Sequence, residues 1–513
     1  MHRRAQRRIS SQTVRWLGLI VVLTMALAAT ASDRTIHRGL GPEPDSLEIH
    51  QAQGLSAFNV LRDIHEGLLT RDSSGQPVAG IALEWHSDQQ QRVWTFRLDP
   101  EARWSDGSVI TADDFVRGWS LALDPARASP TAHWLDPIES FRALEPHVFE
   151  VQLNIDTPWF QELLTLPVTF PMAEHPELSS GPFMLEQRVP GSQIQLLANP
   201  FFRQADQVWP DQIIWHVTED PGAELSRFRA GELHITESVP PGRYRWLRQQ
   251  LGQQLRVSPY LGSFFLGFNL SQPPFADNLE LRQALSLAID RRLLVERVLG
   301  SGELPAWRLI PPGLSGWPQS IEAAHANNDQ ARIERSRRLY QQAGYSAERP
   351  LEVELRFNTS LSHRRLAVAV AAMWKQHLGV RTRLVNEEWK VFVTNRRQGR
   401  ITQIMRGGWI ADWSDAGNFL QLFESDSPLN YTFFSDPEFD RLLVQASQAS
   451  SAQRQSLLYE AEQRLLDQQA IIPLYYYVSR HLVHPDVQGF ADNPMDIHLS
   501  RWLSLADRTD QNQ

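Results

Sequence analysis

The chain of 513 residues contains no cysteine. Whatever it folds into must be held by buried apolar surface and hydrogen bonds, and it offers no disulfide framework, thiol nucleophile, Cys-bearing zinc site or lipid-modified cysteine. Apolar residues make up 42% and charged residues 21% of the chain, a balance that supports a large core and excludes general disorder. A chain of 513 residues exceeds what one core accommodates, so two or three domains are expected.

The amino terminus stands apart. Arg3, Arg4, Arg7, Arg8 and Arg15 lead into an apolar stretch from Trp16 to Ala29, and Ala29-Thr30-Ala31 supplies a small-x-small cleavage site. A secretory signal peptide over 1–31 accounts for this pattern. A membrane anchor is the alternative, but the apolar stretch falls short of the ~20 residues that span a bilayer. Removing the five arginines leaves 45 basic against 59 acidic residues, a formal charge of −14. That acidity argues against a nucleic-acid partner, and no basic stripe with interleaved aromatics opposes it. A soluble exported protein is retained where an outer membrane encloses it, so the periplasm of a Gram-negative bacterium is the expected location.

Alternation and helical periodicity both occur, in mixed order. Val93–Leu98, Phe149–Leu153 and most cleanly Leu351–Phe357 alternate as half-buried strands do. Three segments read as amphipathic helices. Asp277-x-x-Glu280 forms a capping box ahead of Leu281, Ala284, Leu285, Ala288 and Ile289, with Gly300 as the stop. His363–Leu378 ends at Gly379, and Ala452–Leu466 carries the third apolar face. The class is α/β or α+β. Pro and Gly clusters at 39–44, 240–242, 273–274 and 305–318 mark turns, but no long linker separates domains.

Motifs for catalysis are lacking. His65-Glu66 opens like a zinc-protease helix, yet Leu69 stands where the second histidine belongs. There is no G-x-S-x-G elbow and no phosphate loop, so no catalytic residue and no cofactor is expected. His481 and His484, three apart in an apolar run around Leu482 and Val483, read as surface histidines rather than metal ligands. Asp113-Asp114 and Glu387-Glu388 are adjacent acids whose side chains diverge, which suits no acid–base pair.

One run carries binding chemistry. R-G-G-W-I-A-D-W-S-D-A-G-N-F, from Arg406 to Phe419, sets the carboxylate of Asp412 between Trp409 and Trp413. Aromatic walls exclude water and strengthen an ion pair, so Asp412 suits a ligand ammonium group; an ordinary loop or capping role is the plainer alternative. On residue chemistry alone Arg406 equally suits a surface ion pair, His363 the first turn of a helix, and Trp389, Trp409 and the tyrosines a core.

Ten segments in one order tie these pieces together. They are G-P-E-P-D-S-L-E-I-H at 41–50, H-E-G-L-L at 65–69, W-T-F-R-L-D-P-E-A-R-W-S-D-G at 94–107, T-A-D-D-F-V at 111–116, and P-P-F-A-D-N-L-E-L-R-Q-A-L-S-L-A-I-D-R at 273–291. There follow A-G-Y at 343–345, F-N-T-S-L-S-H-R-R-L-A at 357–367, V-N-E-E-W-K at 385–390, the 406–419 run and I-I-P-L-Y-Y-Y-V at 471–478. In these the chain resembles the periplasmic solute-binding proteins of peptide ABC transporters, the oligopeptide binders above all. The resemblance implies an α/β, two-lobed, hinged periplasmic binding protein of the Venus-flytrap kind, one lobe carrying an extra subdomain. It further implies lobe I from 32–65, 179–262 and 480–513, its second subdomain from 66–178, and lobe II from 263–479. Short peptides held in extended form, an inner-membrane ABC permease and a monomeric state come with it; a murein-derived peptide is the alternative ligand, and an exported peptide-processing enzyme the competing class.

By position within these motifs, Asp412 matches the ammonium-binding acid, and Leu55, Gly408 and Ile410 match residues whose backbones pair with the ligand. Arg406, His363 and Arg396 match groups near the peptide carboxylate. Asn358, Trp389, Trp409, Asn430, Tyr475 and Tyr477 match pocket positions. The departures are equally specific. Gly262 and Ile410 stand where the family carries two cysteines, Glu237-Ser238 replaces a segment rich in Tyr and Asn, Thr131 replaces an aromatic, and Gln53 replaces an acid. The stretches around 136–148 and 172–182 are abbreviated.

Overall fold

The computed structural model describes residues 34–314, 317 and 329–506. The expected signal peptide, 1–31, lies outside the described residues, as do 507–513.

Three sheets of four or more strands carry the fold. In the first, Thr35–Gly41 runs parallel to Gln212–Val217, and Gln193–Ala198 and Phe183–Val189 follow antiparallel. In the second, Ala82–Ser87, Val93–Leu98, Val148–Leu153 and Ile138–Glu145 form an antiparallel meander-like layer. Alternation decides its faces: Trp94, Phe96 and Leu98 and their neighbours Phe149, Val151 and Leu153 are buried. They meet the helix Ala112–Leu123, where the Trp119 ring stands edge-on to Phe149 at 5.0 Å. Asp114 accepts a hydrogen bond from the Thr111 N–H at 2.8 Å and so caps this helix, which accounts for one of the adjacent acids.

The third sheet has the order Leu304–Pro305, Ile471–Leu482, Leu255–Phe268, Ile404–Ile410, Glu352–Asn358, Arg381–Glu387. The helix Leu361–Leu378 lies over it with Leu366, Val370, Trp374 and Leu378 buried at helical spacing. The Trp374 indole donates to the Leu285 carbonyl at 2.9 Å, and Gly379, at φ +75°, ends the helix in the left-handed conformation glycine favours.

The helix expected after residue 277 differs in two ways. Its cap is Asn278, whose Oδ1 accepts from the Leu281 N–H at 3.0 Å, so the Asp277–Glu280 box does not form. It also stops at Leu287, because Asp290 caps a new helix at the Leu293 N–H. The buried Arg291 there donates to the Pro473 carbonyl at 2.7 Å, a contact that a continuous helix would turn away.

Two long strands, Leu255–Phe268 and Ile471–Leu482, pair antiparallel from Leu255/Leu482 to Gly267/Ile471, with irregularities at 259–263 and 264–265. Leu255 and Leu482 sit in a core with Leu225, Phe228, Val239 and Leu247, whereas Phe264, Leu266, Phe268, Ile472 and Leu474 sit in the core of the third sheet. The two strands thus join separate cores. At the first end His481 is buried, contrary to the surface position expected: its Nε2 meets Asp496 at 2.8 Å and its Nδ1 the Thr236 carbonyl at 2.9 Å. Neither partner is near in sequence. The Asp496 carboxylate holds the His481 imidazole protonated, up to about 9, against the opposing effect of burial.

Candidate functional site

The strand Ile404–Ile410 pairs along its full length with Leu255–Phe268, from Phe268/Ile404 to Gly262/Ile410. On its other side only Leu355/Ile404 and Arg356/Met405 pair. From Arg406 to Ile410 that side has no strand partner among the described residues. Such an edge exposes backbone donors and acceptors to an added strand. Gly408 lies in the middle of it. A Cβ there would stand 3.0 Å from the Tyr477 hydroxyl and 3.3 Å from the Ser263 carbonyl, so packing from behind also crowds any larger residue. Gly262 and Ile410 face each other in register, so main-chain pairing joins the two positions.

Asp412 follows the end of this edge. Its N–H donates to Asn418 Oδ1 at 3.2 Å, and the same oxygen accepts from the Trp409 indole at 2.7 Å, so Asn418 shapes the turn. Burial pushes the Asp412 carboxyl up, opposed by the Asn418 amide and by His133. No cation forms an ion pair with it among the described residues. Trp413 turns to stack on Trp159 at 5.6 Å and 9°, which links this loop to the 66–178 region.

Arg406 stands at the other end of the edge. Its Nε donates to Asn358 Oδ1 at 2.8 Å, and its guanidinium lies over Trp389 at 5.4 Å and Phe264 at 5.7 Å. Burial lowers its pKa, and Tyr477 and Tyr475 oppose that; no carboxylate pairs with it among the described residues. The surface ion pair open to it in sequence does not form. His363 Nδ1 lies 3.0 Å from the same Asn358 oxygen. That oxygen is already an acceptor, so His363 carries its proton on Nδ1 and leaves Nε2 bare. Burial first, then the Arg406 charge, push His363 down to about 4. Arg396, on the helix Trp389–Arg397, covers the Tyr431 ring at 4.2 Å, and its buried Nε makes no hydrogen bond.

Two cavities flank these groups. One of about 270 Å³ is bounded by Phe265, Trp389, Arg396, Arg406, Trp409 and Tyr431. The other, about 650 Å³, is bounded by His363, Tyr475 and Tyr477 together with Arg245, Arg365 and Arg480. Tyr475 stacks on Phe264 at 4.8 Å and meets Tyr477 edge-on. Trp389 is 47% exposed, which removes it from the core. Asn430 is different: its amide donates to the Phe434 carbonyl at 2.7 Å and the Glu424 carbonyl at 3.0 Å, and its oxygen accepts from Thr432. It holds a loop. Leu55 opens the helix Leu55–Ile64 and is 63% exposed, apart from the 404–412 edge in sequence and in element.

Sequence reasoning missed Asn418, Tyr431, Phe264 and the arginines of the larger cavity. Asn418 had a signal, six residues from Asp412 in the same run. The arginines, Arg245, Arg297, Arg365 and Arg480, come from four separate segments and had none.

This geometry has close counterparts. A family model described as bacterial extracellular solute-binding proteins, family 5 middle, matches residues 76–431. The chain belongs to the family 5 solute-binding proteins. This family 5 chain is 34% identical to the periplasmic oligopeptide-binding protein OppA of Salmonella typhimurium, over 93% of its length and 96% of the relative's. Among solved structures, the unliganded open form of the murein tripeptide-binding protein MppA matches with a TM-score of 0.86 and 31% identity, over 93% and 98% of the two chains. Haemophilus influenzae OppA in complex with the peptide RPPGFSPFR gives 0.72 and 28%, over 93% and 99%. The fold is the two-lobed periplasmic binding fold of mixed α/β content.

Proposed function

We propose that this family 5 protein is a periplasmic receptor, exported by a cleaved signal peptide, that captures short peptides in extended form between its lobes. It delivers them, as a monomer and without chemical change, to an ABC-type permease of the inner membrane. The observation that carries this reading is the open edge Arg406–Ile410, bounded by a carboxylate with no cation and by a guanidinium with no carboxylate among the described residues. A peptide added as a strand offers its backbone to the edge, its ammonium to Asp412 and its carboxylate to Arg406, His363 or Arg396 according to length. Arg406 and Asp412 are six residues apart, at most about 20 Å of extended chain, so peptides of a few residues bridge them once the side chains reach inward. Gly408 and Ile410 supply backbone groups, as does Leu55 from the opposite lobe on closure. Trp389, Trp409, Tyr475 and Tyr477 wall the side-chain spaces. Asn358 orients Arg406 and His363, and Asn430 braces the loop of Tyr431.

Lobe I then comprises 32–65, 179–262 and 480–513, with 66–178 as its second subdomain, and lobe II comprises 263–479. Each sheet falls within one unit except where the two long strands cross, which supports a hinge there. A murein-derived peptide is a second reading, favoured by Arg245, Arg297 and Arg365 around the larger cavity, a set suited to extra carboxylates, while Arg480 there is paired with Glu303 at 2.6 Å.

The test is thermal stabilisation by di- to pentapeptides with free or acetylated amino ends. A ligand at about 100 times its dissociation constant adds about 2.7 kcal/mol. Stabilisation lost on acetylation supports the reading, and no response to any standard peptide turns it toward the murein ligand. Recovery of the peptide intact separates a receptor from a peptidase.

A further inference from the structure

Outside the cleft, three potential metal ligands converge where the strand Ile471–Leu482 meets the chain's last turns. His481 Nε2 lies 2.8 Å and His498 Nε2 3.1 Å from one oxygen of Asp496, and all three ligand atoms fall within 4.8 Å of one another. His481 Nδ1 is bound to the Thr236 carbonyl at 2.9 Å, so its Nε2 is the nitrogen aimed at the cluster. A metal-ligating histidine is oriented in the same way, by a hydrogen bond from its other nitrogen to a carbonyl.

The turn is built to hold its position. Asp496 adopts φ +56°, a conformation that Asp tolerates better than most residues. Asn493 fastens it by donating to the Ile497 carbonyl at 2.9 Å and accepting from the Ile497 N–H at 3.2 Å. His498 is pinned between Arg38, which donates to its carbonyl at 2.7 Å, and the Phe490 ring, stacked at 3.9 Å. His481 is buried, whereas His498 and Asp496 are partly open to solvent, which leaves a path for an ion.

We propose that His481, Asp496 and His498 bind one Zn2+ ion through two imidazole nitrogens and a carboxylate oxygen. Ligand atoms at roughly 2.0–2.2 Å from a tetrahedral zinc lie about 3.3 Å apart, so the two nitrogen–oxygen distances of 2.8 and 3.1 Å need to open only slightly, and the two nitrogens lie within 4.8 Å of each other. As the metal enters, the Nε2 proton of His481 leaves to solvent, the Nε2 proton of His498 moves to its Nδ1, and water completes the coordination. Imidazole ligands favour zinc over Mg2+ or Ca2+. The ion would tie the turn at 493–498 to the end of a strand that joins the two cores.

Chelator-treated protein titrated with Zn2+ in a calorimeter tests this. One equivalent is expected to bind, with release of a proton and a rise in melting temperature that Mg2+ does not cause. Asp496→Asn and His498→Gln keep hydrogen-bonding groups and are expected to weaken Zn2+ by at least about 10–100-fold, the cost of losing even an outer-shell partner. His216→Gln is the control: His216 and His37 form a separate histidine contact at 2.9 Å, and Zn2+ binding that fails there while surviving in the other variants overturns the proposal. Absence of binding overturns it too. Should the variants not fold, anomalous scattering at the zinc edge from crystals of the unaltered protein decides: a peak between the two Nε2 atoms supports the site, and a peak elsewhere or none refutes it.

Discussion

Asp412→Asn removes a charge and keeps the shape, which isolates the ion pair from packing. In the empty protein the Asp412 carboxyl is raised by burial and has no cation, so its ionised form is held at a cost. A carboxyl raised in the folded state is more readily protonated there than in the unfolded chain. Its penalty therefore appears as pH rises through the carboxylate range and persists at pH 7. Asparagine removes that penalty, and the empty variant is expected to be at least as stable as the parent. Peptide binding should respond in the opposite direction. Losing one partner of a desolvated, hydrogen-bonded charge pair costs about 2–5 kcal/mol, or roughly 30- to 4,000-fold in dissociation constant. A four-way calorimetric cycle of parent and variant against a tripeptide with free and acetylated amino ends measures this directly. The acetylated peptide should bind both proteins equally. Free peptide bound within threefold by both proteins, or a variant with lowered stability, would refute the reasoning.

His363 should couple binding to protons. With Nδ1 committed to Asn358 and the empty-state value about 4, a peptide carboxylate at Nε2 draws a proton there. Affinity for such peptides should fall as pH rises above about 4 toward the value in the complex; titrations in buffers of different ionisation enthalpy should show proton uptake, and His363→Ala should abolish it. Gly408→Ala crowds Tyr477 and the Ser263 carbonyl, so urea unfolding should show about 1–3 kcal/mol of lost stability. Unchanged stability would mean that Tyr477 moves aside freely. Glu462 is fully buried, paired with Arg308, and accepts the Leu309 and Ile310 N–H groups at 2.9 Å each. Glu462→Gln strands Arg308 and should cost about 3–5 kcal/mol. Replacing both partners with methionine should cost less, and a loss below 1 kcal/mol for the single change would show that water already solvates the pair.

Much of the fold was legible because local periodicity and core position agree. Val93–Leu98 alternates and its alternate residues are buried, and the helix Leu361–Leu378 ends at the glycine that the sequence marks. Boundaries failed where a side chain answered to distant backbone. Asn278 displaced Asp277 as a cap, and the Arg291 contact with Pro473 broke a helix that the apolar spacing alone would extend. The run around Asp412 stood out because Trp409, Asp412 and Trp413 are near neighbours in sequence, whereas the part of Asn418 in holding the turn showed only in the folded loop. His481 was misread because its partners, Thr236 and Asp496, are 245 and 15 residues away.

The sequence by itself determined the α/β class, the acidic balance, the absence of thiol chemistry and the family, all properties of local pattern or composition. Tertiary structure decided which charges are left unpaired. Arg406 and Asp412 look like any exposed pair in sequence; only the folded sheet, in which the neighbouring strand stops pairing after Met405, leaves them bracketing an open edge with no partner of their own. Pairing and desolvation depend on what the rest of the chain brings within a few ångströms, and a linear pattern does not carry that distance.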